Sequence, residues 1–288
     1  MYTNKVKKIA AVHDLSGMGR VSLTVVIPIL SSMGFQVCPL PTAVLSSHTQ
    51  YPEFSILDLT DEMPRIIAEW KKLDIQFDAF YTGYLGSPRQ IQIVSDFIDD
   101  FRQPDGLVVV DPVLGDNGRL YTNFDESMIR EMRHLAAKAD VITPNLTELF
   151  YLMDKPYKAA NTDEELKSYL RLLSDAGPQV VIITSVPVHG ESHKTSVYAY
   201  NRVGDRYWKI TCPYLPAHYP GTGIPLRASS PEPYCKVTAF LLPWTVPRNL
   251  SFRVSVLLLA MSTITGREFC LKRYCTIWIC LSRAPVMS

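Results

Sequence analysis

Carboxylates, hydroxyls and glycines recur in this 288-residue chain where short apolar runs give way to turns. Asp14-Leu15-Ser16-Gly17-Met18-Gly19 follows the first run. Ser46-Ser47-His48-Thr49-Gln50 follows the second, Gly83-Tyr84-Leu85-Gly86-Ser87 the next, and Asp111-Pro112-Val113-Leu114-Gly115-Asp116 an aliphatic one. Asn145 and Glu148 stand three residues apart, Thr184 ends a further apolar run, and Gly221-Thr222-Gly223 comes last. A Gly-x-Gly turn can aim backbone N–H groups at an anion. A carboxylate at the end of a buried strand is expensive unless it serves a cation or a ligand. Anion holding and cation binding are therefore within reach. Chemistry at an alcohol also needs a helix after the Gly-x-Gly turn and a nearby base, and Ile224 and Pro225 follow instead.

Each cluster has a plainer reading. Gly221-Thr222-Gly223 could be a surface turn, Asp14 and Ser16 could cap a helix, and His48 could be a satisfied loop histidine. Asp116 could be a turn residue, and Asn145 with Glu148 fits a capping-box start. Asp111 is read as functional, because it closes the continuous run Leu107–Val110 expected of a central strand buried on both faces.

The elements that hold these clusters follow from periodicity. Strands are expected at 8–13, 37–40, 78–82, 107–110, 140–143 and 179–185, with a hairpin of 196–201 and 206–211. Helices are expected at 21–33, 61–72, 88–101 and 125–138, after Pro144, and at 162–174. This alternation gives four or five β-α units. It reads as an α/β, doubly wound, mostly parallel sheet with helices on both faces and ligands at strand C-termini.

Composition narrows the partners. Apolar residues at 47% suffice for a large core, and a formal net charge of +1 gives no reason to expect nucleic acid or membrane. Met1–Ile9 lacks a signal-peptide core and no apolar run is long enough to span a bilayer, so a cytoplasmic setting is expected. Cys38 and Cys212 read as isolated buried thiols, and Cys235, Cys270, Cys275 and Cys280 lack metal-site spacing. The charge is uneven: Ile224–Ser288 holds eight Lys/Arg but only Glu232 and Glu268 as acids, leaving about −5 for residues 1–223.

Taken together, Ser47-His48-Thr49-Gln50-Tyr51, Gly83-Tyr84-Leu85-Gly86-Ser87, Asp111-Pro112-Val113-Leu114-Gly115-Asp116 and Thr143-Pro144-Asn145-Leu146-Thr147-Glu148 resemble the pyridoxal kinase family. The resemblance covers roughly residues 5–223 and implies a three-layer ribokinase-like fold, with ATP phosphorylating the 5′-hydroxyl of a vitamin B6 vitamer. It implies that Thr49 and Tyr84 line the pyridine pocket with His48 beside it. Asp14 and Ser16 would also face the vitamer, and Asp14 falls where many relatives carry a serine contacting the ring nitrogen; an aspartate there favours a pyridinium. It further implies that Asp111 and Asp116 face the ATP phosphates and cations, that Glu148 with Asn145 organises Mg2+ through water, and that Thr184 and Thr222 lie near the phosphates. A monovalent cation and a homodimer are also implied.

Relatives continue the Gly-Thr-Gly turn with the aspartate that takes the substrate proton, while Gly221 and Gly223 amides hold the transferred group. Here Ile224 stands in that place and cannot accept a proton. A one-nucleotide displacement of the reading frame accounts for this. With suitable synonymous codons, Ile224–Phe240 becomes Asp-Thr-Phe-Thr-Ser-Val-Ile-Thr-Gly-Ala-Leu-Leu-Gln-Gly-Asp-Ser-Phe, which restores the aspartate and an apolar-patterned helix. The expected organisation is a kinase domain at 1–223 and an aberrant tail at 224–288, with activity impaired. The alternatives are a non-catalytic vitamer-binding protein and a hydroxymethylpyrimidine-type kinase. Sequencing the locus should return codons that permit the shift; an intact frame with incompatible codons at Ile224 and Pro225 ends this explanation.

Overall fold

The computed structural model describes residues 6–19, 21–48, 51–191 and 193–213, and two later strands at 237–242 and 255–260. β1 (Lys8–Ser16), α1 (Leu23–Ser32) and β2 (Gln36–Leu45) form the first unit, and a short strand β3 (Ile56–Asp58) follows. Next come α2 (Met63–Lys72), β4 (Phe77–Thr82), α3 (Pro88–Phe101) and β5 (Arg102–Val110). A small hairpin, β6 (Gly115–Asp116) and β7 (Arg119–Leu120), precedes α4 (Glu126–Lys138), β8 (Val141–Ile142), α5 (Leu146–Leu152) and α6 (Asp163–Asp175). β9 (Val180–Pro187), β10 (Lys194–Asn201) and β11 (Arg206–Pro213) close the sheet.

The nine strands lie in the order β11-β10-β9-β8-β5-β4-β1-β2-β3. Six are parallel; β3, β10 and β11 add antiparallel edges. The chain steps from β1 outward to β2, then returns to lay β4 on the other side of β1. That reversal is a topological switch point, where open α/β sheets leave a crevice above their strand ends.

Alternation along the strands sorts the core into two faces. Val12, Phe80, Val110, Ile142 and Ile183 pack against α2 to α6. Ile9, Ala11 and Ala79 face the other way, beneath Leu23, Val26 and Leu30 of α1. On that same face Val109, Val141, Val180, Ile182, Val197 and Ala199 form a separate cluster that includes no described helix. A parallel sheet needs both faces covered. A further ribbon, β12 (Val237–Leu242) antiparallel to β13 (Ser255–Ala260), is not a member of the main sheet.

Local chemistry explains the helix starts. Ser87 accepts a hydrogen bond from Gln90 N and Pro88 occupies the first turn of α3. Thr162 and Glu165 make a reciprocal capping box at α6. Several features differ from the pattern reading, among them a β5 that begins at Arg102 rather than Leu107. β2 continues past Leu40 because pairing with β1 runs on to Ser16 opposite Leu45; Pro39 and Pro41 obscure this in the sequence. β3 exists through pairing of Ala43–Leu45 with Ile56–Asp58. The β6–β7 hairpin turns on Asn117 and Gly118, with φ of 52° and 77°. Cys38 is half-buried rather than buried, and burial pushes its thiol up.

Phe77 is fully buried at the centre of the ring cluster formed with Trp70, Phe80, Phe97 and Phe101. Phe77→Ala should lower unfolding free energy by about 3–5 kcal/mol in denaturant titration. A loss under about 1 kcal/mol would mean that this cluster is not the packed centre of the core.

Candidate functional site

β1 and β2 end side by side at the switch point, and their following turns are zipped together. Gly17 N donates to Leu45 O at 2.8 Å, Met18 N to Ser46 O at 3.1 Å, and His48 N to Met18 O at 3.3 Å. Gly19 has a φ of +110°, and a Cβ there would fall 2.5 Å from His48 Cδ2, so the imidazole lies against bare backbone. His48 also meets Tyr51 at 4.6 Å between ring centroids. Asp14 is 6% exposed and accepts hydrogen bonds from the Ser16 and Ser22 hydroxyls. Neither Asp14 nor Ser16 caps α1; the N-cap is Ser22, which makes no side-chain cap bond and gives its hydroxyl to Asp14. The capping alternative for these two residues is thereby corrected.

Tyr84 stands on the loop after β4, next to this pair of turns. The Thr42 hydroxyl donates to Tyr84 O at 3.1 Å. Burial, then the charges of Asp14 and Asp58, pushes the Tyr84 phenol up, so its hydroxyl sits in the field of the β1-end carboxylate. Gln90, fully buried, is the hidden support: its amide oxygen accepts from Gly86 N at 2.7 Å and its Nε2 donates to Thr42 O at 3.0 Å and Thr60 Oγ1 at 2.9 Å. Beneath Gly83 lies His13, which burial drives down to about 3 and thus keeps neutral. Its Nε2 and the Thr82 hydroxyl are buried without a partner among the described residues. A Gln in the first turn of an amphipathic helix and a His ending an apolar strand look ordinary, so neither role is visible from residue type and spacing alone.

The acidic end lies above β5 and β8. Burial pushes the Asp111 carboxyl up to about 7, partly offset by a hydrogen bond from Thr143. Glu148 is 4% exposed and raised well above its ordinary value by burial and by the charge of Asp111. Asn145 and Glu148 do form the capping box: Glu148 N donates to Asn145 Oδ1 at 2.9 Å and Asn145 N to Glu148 Oε2 at 2.8 Å. The same two side chains reach outward, Glu148 Oε1 accepting from Leu114 N at 3.3 Å and Asn145 Nδ2 donating to Gly115 O at 2.8 Å. They clamp the Asp111–Asp116 loop onto α5. Asp116 begins the hairpin turn and accepts from Asn117 N at 2.8 Å, as its plainer reading had it, while its charge is felt at Glu148 and Tyr121. Thr184 bridges to Asn145, and its N donates to Pro144 O at 2.9 Å.

The structure thus brings Asp14, Ser16, His48 and Tyr84 together at one end of the edge, and Asp111, Asp116, Asn145, Glu148 and Thr184 at the other. Thr49, Gly221, Thr222, Gly223 and Ile224 lie outside the described residues. Among the described residues no three His, Cys, Asp or Glu side chains converge as an all-protein metal cage. A hard cation that keeps waters and binds through one or two carboxylates and phosphate oxygens asks for no such cage. Asp111 and Glu148, both raised by burial and Glu148 further by the charge of Asp111, suit it.

A family profile for phosphomethylpyrimidine kinase matches residues 30–229. The solved pyridoxal kinase of Lactobacillus plantarum superposes with a TM-score of 0.69 at 33% identity, over 76% of this chain and 77% of that one. The chain belongs to the pyridoxal kinase family. A candidate phosphomethylpyrimidine kinase of Bacteroides thetaiotaomicron, crystallised with pyridoxal, is 87% identical with a TM-score of 0.74, over 76% of this chain and 77% of that one. The Arabidopsis thaliana pyridoxal kinase is 29% identical over 247 residues, 82% of this chain and 72% of that protein. In this pyridoxal kinase family member the ribokinase-like fold expected from the sequence is present, its sheet edge intact through β11.

Without cations, folded Asp111 retains a proton that the unfolded chain releases, so its contribution to stability is lost as pH rises from about 4 to about 7. Asp111→Asn should therefore melt about 2–4 °C above wild type at pH 8 in chelator, with the gap shrinking toward pH 5. Thermal scans at the two pH values check this, and a pH-independent gap would refute the buried-charge explanation.

Proposed function

We propose that this chain carries the ligand sites of an ATP-dependent kinase for the 5′-hydroxyl of pyridoxal, pyridoxamine or pyridoxine, and that its own turnover is severely reduced. The observation that carries the first half is the single edge shared by the Asp14–His48–Tyr84 group and the Asp111–Glu148 group, in a chain 87% identical to a protein crystallised with pyridoxal. Asp14 and Tyr84, with Thr49, would hold the ring. Asp111 and Glu148 would hold Mg2+, which when bound neutralises phosphate charge, with a monovalent cation beside Asp111. Asp116, Asn145 and Thr184 would order the phosphate-side loops. Phosphoryl transfer is mostly positioning and charge neutralisation; these residues would supply the positioning and hold the cations that would supply the neutralisation. A homodimer in a cytoplasmic setting completes the proposal; no helix of the described residues is long and apolar enough to cross a membrane.

The second half rests on Ile224. The alcohol needs a proton acceptor, and isoleucine has none. Supporting a non-native tail, two chains 87% identical share only 76% and 77% of their lengths, the family profile stops at residue 229, and β12–β13 joins no strand of the main sheet. Among the described residues, no helix packs on the apolar cluster around Ile182. A non-catalytic vitamer-binding protein is the reading that Ile224 favours next. A hydroxymethylpyrimidine kinase fits the family profile but not the His48-Thr49-Gln50 stretch.

Purified chain should be assayed with MgATP against pyridoxal, pyridoxamine, pyridoxine and hydroxymethylpyrimidine, beside a version carrying the in-frame C-terminus. Turnover of B6 vitamers by the in-frame version should exceed that of this chain by about 10²–10⁴-fold. Equal rates would show that another group serves as base, and a preference for the pyrimidine would overturn the substrate assignment.

A further inference from the structure

Phe124 is a half-buried aromatic residue on the segment between β7 and α4. Its ring lies nearly parallel to that of Tyr84, with centroids 5.9 Å apart and an interplanar angle of 19°. Offset stacking of this kind fixes relative ring planes. The segment that presents it is held at both ends. Phe124 N donates to Tyr121 O at 3.0 Å, closing a turn, and Tyr121 N donates to Leu114 O at 3.0 Å, tying that turn to the Asp111–Asp116 loop. On its other side Asp125 caps α4, accepting from Ser127 N and Met128 N. Phe124 therefore has little freedom of its own, whereas Tyr84 sits in a loop between Gly83 and Gly86 whose backbone is fixed by Thr42 and Gln90.

We propose that Phe124 is a positioning residue for vitamer recognition, backing the Tyr84 ring so that its opposite face is presented to the pyridine ring at a set angle. The inference rests on the proposed placement of the vitamer against Tyr84. It adds a residue that none of the sequence motifs contains. The same segment carries Tyr121, 6.1 Å from Phe124 between centroids, whose phenol lies in the field of Glu148, Asp116 and Asp111. One short strap thus contributes rings to both ends of the edge, Phe124 toward the vitamer and Tyr121 toward the acidic group. Losing the stack should therefore be felt by the vitamer and not by the nucleotide.

Binding titrations with pyridoxal and, separately, with ADP test this without requiring turnover, on wild type, Phe124→Ala, Phe124→Leu and Phe124→Tyr, with thermal melting of each. Phe124→Ala and Phe124→Leu should raise the pyridoxal Kd about two- to tenfold, equivalent to about 0.4–1.4 kcal/mol. ADP affinity should stay at the wild-type level, and Phe124→Tyr should restore pyridoxal binding. Unchanged pyridoxal affinity in both truncations overturns the inference while leaving the proposed function standing. Parallel losses for pyridoxal and ADP reduce Phe124 to a structural part of the loop and also overturn it. Absence of pyridoxal binding by the wild type overturns the proposed function, and this inference with it. If Phe124→Ala does not fold, Phe124→Leu, which keeps most of the buried bulk, gives the deciding comparison.

Discussion

Two carboxylates cannot both be ionised cheaply at a buried strand edge: burial raises the proton affinity of Asp111 and of Glu148, and the charge of Asp111 raises that of Glu148 further. Most of the surrounding architecture follows from tolerating this. Glu148 is held by Asn145 N and Leu114 N, Asp111 by the Thr143 hydroxyl, and Asn145 secures the loop between them through Gly115 O. The segments that follow two neighbouring strands, β5 and β8, supply those partners, and Thr184 of β9 bridges to Asn145 beside them. The arrangement is costly with both carboxylates ionised and is relieved by positive charge beside them.

The end that carries Asp14, His48 and Tyr84 is built on a different principle. Few charges are involved there; close backbone approach does the shaping, through Gly19 against His48 and Gly83 against His13. Asp14 is the exception, a carboxylate satisfied by two hydroxyls, one of which has left its ordinary helix-capping task. Between the two ends run β4 and its loop, so that Tyr84 and Asp111 stand just past the ends of neighbouring strands.

What the sequence made legible was periodicity and punctuation. The run Leu107–Val110, the Ser87-Pro88 helix start and the helix expected from Thr162 each rest on residues adjacent in the chain, and each appears where expected. The motif residues were legible because their types are unusual for their places. Gln90, His13 and Phe124 were not, since their roles arise from partners between 40 and 70 positions away, such as Thr42, Gly83 and Tyr84. β3 was invisible because three residues carry no period, and only the extended β2 gives them a partner. The Asn117-Gly118 turn was present in the text, but flanking strands of two residues leave no alternation to notice.

The closing hairpin has a directional effect. β9 runs toward the ligand edge, β10 runs away from it, and β11 runs back, with Pro213 paired to Lys194 and that strand end beside Pro187. Two reversals cancel, so the chain emerges from Pro213 on the side where Asp111 and Thr184 stand. A single extra strand, or one fewer, would have delivered it to the far side of the sheet. The parity of the antiparallel turns thus decides that β11 ends at the same edge of the sheet as Asp111 and Thr184.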